Sequence, residues 1–125
     1  MRMERDPDAI GPLIRGLSGR GFRVDDRIHD GAMILTPERA VDWAPPAVDR
    51  LEIADLEAAL TVSSTPEFVL LGTGPALLRP PVDLGLALEA RGIGLEVMDS
   101  RAAARAWGLL RAEGRWISGA FYPLG

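Results

Sequence analysis

Phe68-Val69-Leu70-Leu71 runs without a polar side chain, with Pro66 two residues before it and Gly72 directly after. An apolar run this short, closed by a proline and a glycine, reads as a strand buried on both faces. It leads straight into Gly72-Thr73-Gly74. A second strand, Leu95 to Met98, ends in Met98-Asp99-Ser100 and opens a long Ala-rich helix that stops at Glu113-Gly114-Arg115. That order constrains a fold without naming a chemistry.

The rest of the second half alternates strands with helices. Ile53, Leu56 and Leu60 have the spacing of a short helix. Pro80-Pro81 opens another helix, where a missing N–H does no harm. Leu84 and Leu88 share its inner face and Gly92 terminates it. Ser100 reads as the N-cap of the Ala-rich helix, which runs to about Ala112. Ala103, Ala106, Trp107 and Leu110 form its inner face, with Arg101, Arg105 and Arg111 outside. Gly108 in mid-helix implies a bend or a close backbone neighbour. Arg115 to Tyr122 reads as the last strand.

The first half has the two-residue period of strands. Phe22, Val24 and Ile28 share one parity; Arg23, Asp25 and Arg27 share the other. His29-Asp30-Gly31 reads as a turn returning the chain into a second strand, Ala32 to Leu35. Ala40 to Trp43 reads as a third, closed by Pro45-Pro46. Together they suggest an antiparallel meander.

At 125 residues the chain fits one domain. The reading is a globular domain over residues 20–125 behind a mobile lead-in over residues 1–19. In that lead-in Ile10, Leu13, Ile14 and Leu17 pack as one short turn. Met1 to Asp8 carries no apolar signal core and too much acid for a transit peptide. No apolar run approaches the roughly 20 residues that span a bilayer. The expected setting is cytoplasmic, with no direct membrane insertion.

Composition removes several chemistries. Cysteine is absent, so there is no disulfide, thiol nucleophile or Cys-type zinc site. All 14 basic residues are arginine, which excludes a Schiff-base lysine, a Ser-Lys dyad and a P-loop lysine. The net charge of −4, with both signs interspersed, argues against a nucleic-acid surface. His29 is the only imidazole, and no Gly-x-Ser-x-Gly elbow exists, so a serine-hydrolase triad is not expected. Nor does any His-x-x-Glu spacing support a metal. No cofactor is expected.

Three positions remain as ligand candidates. Gly72-Thr73-Gly74 follows a buried strand, where open α/β sheets often hold ligands. It is either a plain turn or a loop for an anion or small molecule. Pro75 and the distance to the next helix disfavour the second reading, because phosphate binding needs a helix N-terminus at the loop. Asp99 is either a helix-dipole partner or a pocket acid. Arg115 either pairs with Glu113 across Gly114 or presents its charge to a pocket.

Gly21-Phe22, Gly31 to Leu35, Pro37, Trp43, Leu71 to Gly74, Pro80, Glu96 to Ser100, Ala103 and Leu110 to Arg115 occur in an order and spacing that resembles one family. It includes a mitochondrial assembly factor of complex I (NADH:ubiquinone oxidoreductase), an adipogenesis-associated protein, and many uncharacterised bacterial and archaeal proteins. The resemblance covers Gly21 to Pro123. It implies a mixed α+β, three-layer β/β/α domain with a split, barrel-like sheet layer. It also implies a non-catalytic, chaperone-like role through protein contact with a respiratory membrane complex. The alternative is a small-ligand domain or enzyme using a groove near Thr73, Asp99 and Arg115. An asparagine common in the family after the aromatic of the last helix is replaced here by Gly108, which weakens a catalytic reading.

Overall fold

The computed structural model describes residues 11–125. Eight strands run β1 Ile14–Ser18, β2 Gly21–Val24, β3 Arg27–His29, β4 Met33–Leu35, β5 Ala40–Asp42, β6 Phe68–Gly72, β7 Gly94–Met98 and β8 Ser118–Phe121. The α-helices are α1 Glu57–Leu60, α2 Val82–Glu89 and α3 Ser100–Ala112. Short 3-10 turns at Val48–Arg50 and Ile53–Leu56 precede α1.

The strands form two sheets. One has the order β1-β2-β3 and is antiparallel. The other has the order β5-β4-β8-β6-β7, with β6 parallel to both neighbours. Neither closes into a barrel, so the sheet layer is split, as expected for this mixed α+β fold.

Strand alternation divides the interior into two clusters. Met33, Leu35, Leu70 and Phe121 face one side, where they meet Phe22 and Val24 of β2 and Ala103 and Trp107 of α3. Ile34, Val69, Leu71 and Ala120 face the other, against Leu56, Ala59, Leu84 and Leu88. Trp107 is fully buried, as its helical spacing predicts. Its ring stands edge-on to Phe121 at 6.4 Å between centroids. Gly119 leaves room for both rings, since a Cβ there would lie 2.5 Å from the Phe121 ring.

Several expectations change. Ile14 and Leu17 lie on strand β1, not in a turn, and pair with β2. The Trp107 indole donates to the Pro12 carbonyl at 3.0 Å, so the chain before β1 is tied to α3. The lead-in reading for residues 1–10 lies outside the described residues. The β2–β3 hairpin turns at Asp25-Asp26, so the chain does not turn back at His29-Asp30-Gly31 as expected. Asp25 takes φ 55°, a left-handed geometry that aspartate tolerates. The turn pairs Phe22 with His29 and Arg23 with Ile28, which leaves Ile28 facing out. After His29 the chain crosses to the other sheet, where β4 and β5 do pair antiparallel.

Candidate functional site

The Gly-Thr-Gly loop leaves β6 toward α2 and packs against the start of α3. Gly72 is needed for close approach: a Cβ there would lie 2.9 Å from Ser100 Oγ and 3.0 Å from its Cα. Gly74 takes φ 103°, open to glycine and strained for other residues. Thr73 is buried, not a surface hydroxyl. Its Oγ1 donates to the Ala76 carbonyl at 2.6 Å and accepts from the Leu78 amide at 3.0 Å. Its own amide donates to Met98 O at 2.9 Å. The loop is thereby folded on its own backbone and tied to the end of β7.

Asp99, not Ser100, caps α3: its Oδ1 accepts from the Ala102 amide at 2.9 Å. The shift of one residue frees the Ser100 side chain for tertiary work. Its Oγ accepts from the Gly74 amide at 2.8 Å and donates to the Tyr122 carbonyl at 2.8 Å. Ser100 N in turn donates to Gly74 O at 2.8 Å. One fully buried hydroxyl therefore fastens β6, β8 and α3 together.

Tyr122 extends this junction outward. Its ring meets Trp43 edge-on at 5.2 Å, and its hydroxyl donates to Pro46 O at 2.7 Å. Burial, with the Asp55 and Asp49 carboxylates as smaller causes, pushes its pKa up to about 12.

Thr73 and Asp99 thus meet at the carboxyl ends of β6 and β7. Arg115 does not join them. It sits at the opposite end of the sheet, before β8, and grips Glu67, which precedes β6. Arg115 Nε and Nη2 reach Glu67 Oε1 at 3.0 and 2.8 Å, a two-pronged pair. The Arg115 hydrogen bond holds the Glu67 carboxyl below its usual range, and the same bond raises the guanidinium. The expected Glu113–Arg115 pairing gives way to this one. Arg111, expected outside, is buried; its guanidinium lies 5.8 Å from the Trp116 ring centroid and donates to Arg115 O.

His29 is also buried, and its Nδ1 lies 2.8 Å from Asp42 Oδ1. Asp42 was not a sequence candidate; the pairing needs β3 and β5 to converge, and no local spacing announces that. His29 borders a 550 Å³ cleft that also touches Arg15, Asp25, Arg27, Glu38 and Arg39. Among the described residues no cluster of three or more metal-ligating side chains forms.

The model of a family described as "Protein of unknown function (DUF498/DUF598)" matches residues 14–122. A Rhodobacter capsulatus protein described only as uncharacterized is 30% identical over 121 residues, covering 96% of this chain and 92% of its own length. NADH dehydrogenase [ubiquinone] 1 alpha subcomplex assembly factor 3 of Danio rerio is 26% identical over 121 residues, covering 97% of this chain and 69% of its own length. Among solved structures, a Bordetella parapertussis protein superimposes with TM-score 0.79 at 28% identity, over 90% of this chain and 95% of that one. A Bartonella henselae protein called an outer membrane protein does so with TM-score 0.76 at 30% identity, over 91% and 96%.

Proposed function

The chain belongs to the DUF498/DUF598 family, and from that premise we propose that it is a non-catalytic protein-interaction domain that assists assembly of a respiratory membrane complex of the complex I type. The observation that carries this reading is the direction of its polar and apolar groups. The hydroxyls of Thr73 and Ser100, which a ligand loop would turn outward, are spent on the chain's own backbone. Large apolar side chains are instead left in water on two helices: Val82 is 78% exposed, Leu86 56% and Leu109 69%. Exposed apolar groups gathered beside strand edges suit protein contact better than catalysis.

Relatives named as complex I assembly factors support the choice of complex. No helix among the described residues is long and apolar enough to cross a membrane. We place the protein in the cytoplasm, meeting the complex from the water side. Cross-linking of the full chain in cells, followed by capture from the membrane fraction, tests the reading. Subunits of NADH:ubiquinone oxidoreductase are expected among the cross-linked partners. Their absence, or recovery of the chain in an outer-membrane fraction, contradicts it.

A further inference from the structure

Among the described residues strand β1 is an edge: it pairs with β2 on one side and with no strand on the other. Beside its free edge lies α3, and between them runs a groove of 470 Å³. Ala104 and Gly108 contribute to its wall, with Leu17 and Leu109 exposed beside it. A Cβ built at Gly108 would meet nothing within 4 Å, so the mid-helix glycine opens onto empty space and no neighbouring backbone fills it.

The charge of the groove is one-sided. Among the described residues Arg15, Arg101 and Arg105 line it and no aspartate or glutamate does, in a chain with 18 acids and a net charge of −4. Arg15 has Asp25 at 3.7 Å. Arg101 and Arg105 make no ion pair among the described residues. Their placement works against the helix in two ways. They are like charges one turn apart, and Arg101 lies in the first turn, at the positive end of the helix dipole. A carboxylate laid along this face would relieve both.

We propose that this groove takes an extended segment of a partner protein, added as a strand on the free edge of β1, whose groove-facing positions carry both acidic and apolar residues. Strand addition supplies main-chain hydrogen bonds, and side chains of one parity then face the groove. Five residues of β1 match a segment of about five or six residues, roughly 16 Å long. The segment's apolar side chains cover Leu17 and Leu109, and its carboxylates meet Arg101 and Arg105. The inference rests on the protein-interaction reading and adds the site and the chemistry of what it holds.

The test uses the full chain and a labelled eight-residue glutamate-leucine peptide, with glutamate and leucine at the positions of one parity and threonine at the other, followed by fluorescence anisotropy. Saturable binding is expected, at least tenfold weaker in Arg101→Glu/Arg105→Glu and in Leu109→Asp, with melting temperatures unchanged. Added salt should weaken it further. Hydrogen exchange at Ile14–Ser18 should slow when the peptide is bound. Gly108→Leu, which fills the empty space, should also block binding. The proposal is overturned if a lysine-leucine peptide binds equally well, or if the arginine variant binds undiminished. It is also overturned if the acidic peptide fails to saturate, whether or not the chain adsorbs to anionic phospholipid vesicles instead. If the arginine variant still cross-links to the respiratory complex, this groove is wrong and the interaction reading stands. If the wild-type chain does not cross-link to it, the choice of complex is wrong, whatever the peptide does.

Discussion

The buried start of helix α3 and its outer face do opposite things. At its N-terminus Ser100 is fully buried and its hydroxyl fastens Gly74 and Tyr122, so the junction with β6 is closed. Along its outer face, Arg101, Arg105, Gly108 and Leu109 border open space next to an unpaired strand edge. The closed end carries the glycine-threonine-glycine signature that most invites a ligand reading. The open face carries no recognisable motif. Glycines after a strand signal close approach as readily as a ligand, and here the close approach is that of α3 itself.

Substitutions can break this comparison, beginning with the buried side of α3. Trp107→Ala removes a fully buried ring and its bond to Pro12 O, and is expected to destabilise the fold by about 3–5 kcal/mol in denaturant melts. A loss below about 1 kcal/mol would mean that α3 does not pack as described. Gly72→Val forces two methyl groups against Ser100 and Ala103 and should cost about 1–3 kcal/mol, because backbone atoms must shift. A silent Gly72→Val would mean that the junction is looser than these distances.

Ser100→Ala leaves the Gly74 amide and the Tyr122 carbonyl without their shared partner. It should cost about 1–3 kcal/mol, and Thr73→Ala should fall at the lower end of that range. A surface threonine would give almost nothing, so Thr73→Ala separates a structural hydroxyl from an idle one. Tyr122 gives the junction an alkaline limit. Its folded pKa is pushed up to about 12 while the unfolded chain ionises near about 10. The phenol's contribution is therefore whole below about pH 10 and is lost as pH rises toward 12. Tyr122→Phe should flatten that slope in pH-dependent melts. On the open face the smallest change has the opposite sign. Gly108→Ala meets no neighbour and should stabilise α3 by up to about 1 kcal/mol.

What the sequence made legible follows from which signals are local. The buried run at Val69 to Leu71, the Pro81 start and Leu84/Leu88 face of α2, and the inward Trp107 all announce themselves through periodicity within a few residues. Strand β1 hides because Gly16 and Ser18 dilute its apolar residues and the ladder shifts between Ile14 and Gly16. The Asp25-Asp26 hairpin hides because neither central residue is glycine. Asp99 and Ser100 are both good caps, and only packing decides that Asp99 serves α3 while Ser100 turns inward. Arg115 finds Glu67 across 48 residues, which nothing beside Gly114 could indicate. The charged groove is assembled from β1 and α3, more than 80 residues apart, so its excess of arginine is invisible to a reading along the chain.

A paired measurement on two variants reaches the central claim most directly. Thermal melts and binding of the glutamate-leucine peptide are recorded for Ser100→Ala and for Arg101→Glu/Arg105→Glu. In a domain of this size a loss of 1 kcal/mol lowers the melting temperature by roughly 4 °C. Ser100→Ala should melt several degrees lower and, while folded, bind the peptide as the unaltered chain does. The arginine variant should melt normally and bind at least tenfold more weakly. If Ser100→Ala loses binding at full stability while the arginine variant keeps it, the closed end is the functional one and the account is wrong.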